Sequence, residues 1–106
     1  MKTYMGHRPG NHVVVLEDHQ PHSRPLPWRL DLRNHSPTGL EWGYGGSGPA
    51  QLALAILADA VGDAGALAHS QAYKWDVIAG LPYAGWEIPE TDVRAWLNSK
   101  GGVNDH

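Results

Sequence analysis

Residues 43–48, Gly43-Tyr44-Gly45-Gly46-Ser47-Gly48, hold four glycines and run straight into an Ala/Leu-rich stretch from Pro49 to Val61. This juncture constrains the fold more than any other feature. Proline suits a first helical position and Gly62 suits a helix stop, so the spacing predicts a helix over 49–61. On a 3.6-residue wheel Leu52, Ala53, Leu54, Ile56, Leu57, Ala60 and Val61 cover more than half the circumference, with Gln51 and Asp59 on the remaining arc. An arc that wide requires burial on two sides, so this is the central helix of its domain.

What surrounds that helix reads as α+β. At 106 residues the chain has room for one domain and one modest core. Its first part, about 4–42, reads as an antiparallel sheet region. Residues 12–17 (His-Val-Val-Val-Leu-Glu) suit a buried strand, and Trp28-Arg29-Leu30-Asp31-Leu32-Arg33 alternates apolar and charged residues as a half-buried strand does. Between them, Pro21, Pro25 and Pro27 read as a loop. Residues 40–42 read as a short returning strand. The part from 49 to 100 reads as helical, with further helices from about 64–66 to 79 and over 91–99, and a fraying tail at 101–106. In the second helix Leu67, Ala68, Ala72, Trp75, Ile78 and Ala79 form one apolar stripe, with Gln71 inside it.

Charge and composition exclude several functions. The net charge of −3 argues against strong nonspecific nucleic-acid binding. Residues 1–48 place Lys2, Arg8, Arg24, Arg29 and Arg33 against Glu17, Asp18, Asp31 and Glu41, whereas residues 49–106 hold three basic and seven acidic side chains. With no cysteine, thiol catalysis and thiolate metal sites are out, and a cytoplasmic setting is the expectation. No apolar run reaches membrane-spanning length and no signal peptide opens the chain, so no membrane partner is expected.

The block Trp42-Gly43-Tyr44-Gly45-Gly46-Ser47-Gly48-Pro49-Ala50-Gln51-Leu52-Ala53-Leu54-Ala55-Ile56-Leu57 resembles the signature of an uncharacterised domain family of phages, plasmids, bacteria and archaea. The resemblance continues through residues 72–75, 78–82 and Trp86 to Val93-Arg94-Ala95-Trp96-Leu97. It implies a small domain of unknown function, often carried by mobile elements, with no catalytic residues to transfer.

Read physically, Gly45, Gly46, Ser47 and Gly48 could hold an anion at a helix start. The antiparallel reading of the preceding elements argues against a dinucleotide fold, and a Walker loop is excluded because Pro49 stands where lysine is required. Ser47 fits helix capping better than a nucleophile elbow, which would need glycine where Pro49 stands. His12, His19 and His22 lack the regular spacing of metal ligands, and no metal or cofactor is expected. The aromatic residues are more telling. Trp28, Trp75 and Trp96 fit the core, while Tyr44, Tyr73, Tyr83 and Trp86 fit a partner-binding surface. The expectation is a non-catalytic protein-binding module of a mobile element, such as an inhibitor of a CRISPR-type host defence complex. The alternatives are a nucleic-acid-binding or regulatory domain using Arg24, Arg29 and Arg33 with the glycine loop, and a small phosphate- or nucleotide-binding protein.

Overall fold

The computed structural model describes residues 2–100; the 101–106 tail lies outside them. The Ala/Leu stretch forms helix α1 (Ser47–Val61), in which Leu52, Leu54, Ile56 and Leu57 expose no surface. Gly62, at a φ of 97°, ends the helix by donating its N–H to the Ala58 carbonyl. That left-handed turn is one only glycine adopts cheaply. Helix α2 (Asp63–Asp76) starts at once and folds back on α1, and the third helix, α3 (Glu90–Ser99), closes the other end of the core.

Four antiparallel strands, β1 (Thr3–His7), β2 (Val14–His19), β3 (His22–Pro25) and β4 (Gly85–Pro89), form one sheet in the order β3-β2-β1-β4. Side chains alternate across a strand, so the registers put Trp86, Gly6 and Val15 in one inward row and Ile88, Tyr4 and Glu17 in the next. Gly6 is required there. A Cβ would come within 2.6 Å of the Trp86 indole, which instead packs on bare backbone and meets Trp42 edge-on at 5.5 Å.

The α+β class and the central helix match the sequence reading; several local readings do not. The Pro-rich segment forms β3, paired with β2 through a tight hairpin between His19 and His22. β1 pairs with both β2 and β4, and β4 arises inside the region read as helical, between α2 and α3. Residues 28–33 make turns rather than a strand, because Arg29 sits at a φ of 61°. Their alternation is therefore not a sheet signal, and Trp28 is exposed. Residues 40–42 form no strand either; Leu40 and Trp42 enter the core from an irregular segment.

Gln51 holds that segment down. Fully buried on α1, its carboxamide accepts from the N–H groups of His35 (2.7 Å) and Ser36 (3.1 Å) and donates to the carbonyls of Trp28 (2.7 Å) and Arg33 (3.1 Å). One side chain thus satisfies four backbone groups that no helix or strand serves. A second polar cluster lies where the sheet meets α1. Asp59 accepts from Tyr4 (2.7 Å) and Lys2 (2.8 Å), and Lys2 also pairs with the buried Glu17 at 3.1 Å. Burial and the Asp59 contact raise the Tyr4 pKa and keep its hydroxyl protonated. Arg24 stands 3.0 Å from the other Glu17 oxygen, at ion-pair distance without hydrogen-bond alignment.

Candidate functional site

The glycine loop lies on the surface with aromatic rings packed against its backbone. Trp75, from the last turn of α2, occupies the space a Gly45 Cβ would need, and Tyr44 covers Gly46. Gly43 takes a φ of 91° and donates its N–H to the Ile78 carbonyl at 3.0 Å, tying the loop to the segment after α2. Close packing of exposed rings, not positive φ, is what favours glycine at 45 and 46. Ser47 is the first helical residue, and its side chain makes no cap hydrogen bond.

Arg8 anchors the other side of the loop. Its guanidinium lies between the rings of Trp42 (4.3 Å) and Tyr83 (3.9 Å). It donates to both Glu41 oxygens, at 2.7 and 3.0 Å, and its Nε donates to the Tyr83 carbonyl at 2.7 Å. This bidentate pair holds the Glu41 carboxyl below the usual carboxylate range and raises the Arg8 pKa. Trp42 Nε1 donates to the Pro82 and Tyr83 carbonyls at 2.9 and 3.1 Å, fixing the same segment. The result is a rim of large aromatic side chains on a well-tied base: Tyr44 is 52% exposed, Trp75 61% and Tyr83 70%.

Tyr44 and Tyr83 are therefore on the surface, but Tyr73 (1% exposed) and Trp86 (8%) are core residues. Tyr73 packs edge-on to Trp96 at 4.8 Å, and Trp86 sits over Gly6. The reading of α2 is corrected with them. Its buried face is Ala66, Ser70, Tyr73 and Lys74, and the apparent stripe of Leu67, Ala68, Ala72 and Trp75 points to solvent. Sequence reasoning assigned Trp75 to the core and passed over Arg8. The signal for Trp75 was Gln71, a polar residue inside the supposed core stripe.

The structure does not bring Arg24, Arg29 and Arg33 into one free basic face. Arg24 rests on Glu17, and Arg29 is held by Asp31 and Asp63 at 3.0 and 3.1 Å, which together raise its pKa. Around Gly45, Gly46, Ser47 and Gly48, the Cβ sides of the first two glycines are covered by Trp75 and Tyr44, and that of Gly48 by Glu41. Among the described residues no group of three or more His, Asp and Glu side chains is placed to hold a metal ion. No described helix is long and apolar enough to cross a membrane.

These features define an α+β domain with a solvent-facing aromatic rim around a glycine loop. The chain belongs to DUF6166, a family of unknown function, whose model matches residues 4–99. No curated protein and no solved structure matches the chain.

Proposed function

We propose that this domain is a non-catalytic protein-binding module whose contact surface is the rim of Tyr44, Trp75 and Tyr83. The observation that carries this reading is the exposure of all three rings above half, on a base in which Trp75 stands on α2, the Tyr83 carbonyl accepts from Arg8, and Gly43 beside Tyr44 is bonded to Ile78. Tryptophan, tyrosine and arginine dominate the energetics of protein interfaces, because large rings release much water at little entropic cost. The nearby charges, Arg8 and Glu41, are already spent on each other, so the rim presents apolar faces rather than an acid–base pair. In the mobile-element setting that the sequence resemblance implies, the partner class to test first is a host defence complex of the CRISPR type.

The test is affinity purification of tagged wild type beside the double variant Trp75→Ala/Tyr83→Ala, followed by titration of each captured protein in purified form. A partner whose affinity drops at least about tenfold in the double variant, at unchanged melting temperature, supports the reading. Partners that bind both forms equally, or recovery of nucleic acid alone, would overturn it.

A further inference from the structure

A groove of about 620 Å³ lies between β2 and the 36–48 segment. Six consecutive residues, 11–16, line one side of it. Val14 to Leu16 belong to β2 and residues 11–13 lead into it. The face of a strand presents every second residue, so the unbroken run through Val14, Val15 and Leu16 means that the groove follows the strand's edge. Leu26, Trp28, Leu40 and Tyr44 line the remainder.

The edge is open there. β3 pairs with β2 as far as Val15, whose carbonyl accepts from Leu26 N–H at 3.0 Å, and the chain then departs at Pro27. Peptide groups two residues apart point the same way, so the Val15 N–H and the Val13 N–H and carbonyl face the groove. None of these three has a hydrogen-bond partner among the described residues. The other free edges carry protection that this one lacks. β3 is short and lies between Pro21 and Pro25, and β4 bears the exposed Glu87 and ends in Pro89. Residues 13–15 are three valines.

We infer that this groove takes an extended segment of a partner protein, which adds a strand to β2 along Val13 to Val15 and seats an apolar side chain between Leu26, Trp28 and Leu40. Two donors and an acceptor at strand spacing are matched by another main chain, and by few other ligands. A second copy fits poorly, since pairing through its own Val13–Val15 edge would bring the 36–48 segment that walls that edge into the groove as well. The inference rests on the protein-binding reading. Tyr44 belongs to both the rim and the groove, which makes the two surfaces continuous.

The probe is a displayed library of random heptapeptides, selected on the folded full chain. Val13→Pro is the discriminating variant. It deletes one unpaired donor, and His12 already has the extended backbone (φ −91°, ψ 130°) that a following proline requires. Selected peptides should bind wild type at least about tenfold more tightly than Val13→Pro, whose melting temperature should be unchanged. In wild type they should slow hydrogen exchange at the Val13 and Val15 amides. No enriched peptide, equal binding to both forms, or unchanged exchange would overturn the inference. So would a peptide-free wild-type dimer that Val13→Pro dissolves, because a second copy would then be the occupant. A native partner lost in Trp75→Ala/Tyr83→Ala but retained by Val13→Pro would overturn the strand-addition inference and leave the protein-binding reading standing.

Discussion

Trp75 packs its ring against the backbone of Gly45, in the space that a Cβ would fill. Because Trp75 is largely exposed, its ring can swing aside. Gly45→Ala should therefore cost less than about 1 kcal/mol while changing tryptophan fluorescence and weakening partner binding. Gly6→Ala is the contrast. Trp86 over Gly6 is buried and has nowhere to go, so the loss should be about 1–3 kcal/mol. Denaturant titration of both variants checks the ordering, and equal losses would contradict it.

Gln51→Leu should destabilise the domain by about 3 kcal/mol or more, since buried polar groups left without partners cost roughly 1–3 kcal/mol each. The substitution keeps the volume but strands the Trp28 and Arg33 carbonyls and the His35 and Ser36 amides. Amide exchange should rise first at residues 35 and 36.

Ile56 is fully buried near the middle of α1, and Ile56→Ala should cost about 2–5 kcal/mol, a large share of a small domain's stability. A loss below about 0.5 kcal/mol in urea would contradict the placement of α1 at the centre.

The Arg8–Glu41 pair predicts a pH dependence. Arg8 lowers the Glu41 pKa in the folded state, so Glu41 stabilises fully above its unfolded value of about 4.3. That contribution is lost as the pH falls through the lower folded value. Glu41→Gln should be less stable than wild type at pH 6, with the gap closing as the pH falls below about 4. A constant gap would show that the pair does not titrate as described.

Random duplex DNA should not bind measurably at physiological salt, with a Kd weaker than roughly 10⁻⁴ M, because Arg24 and Arg29 are engaged by acids. Micromolar binding abolished by Arg29→Ala and Arg33→Ala would promote the nucleic-acid alternative.

How far the sequence was legible follows from which interactions are local. α1 was readable because an unbroken Ala/Leu arc and Gly62 are local signals. The working face of α2 was not. Small Ala66 and Ser70 let α2 approach α1, whereas the larger Leu67 and Trp75 face water, so hydrophobicity pointed to the wrong side. The alternation at 28–33 was misleading because its partner is a single glutamine on a helix, a tertiary contact with no sequence period. β1 and β4 escaped notice because Gly6 and Gly85 interrupt the expected pattern, and both make room for close packing across the sheet. At the rim, Tyr44 and Tyr83 were legible as loop aromatics, but Arg8 required knowing that distant segments meet.

Tyr4 pairs across the sheet with Ile88, so the interior strand β1 gains its second neighbour only from near the far end of the described chain. During synthesis β1 emerges well before β4 and keeps one edge unsatisfied until β4 leaves the ribosome. The β1–β2 hairpin and the α1–α2 pair can form from nearby residues, but the β1–β4 pairing has to wait. Folding should therefore be slower than the helical content suggests, with a rate set by this one long-range closure.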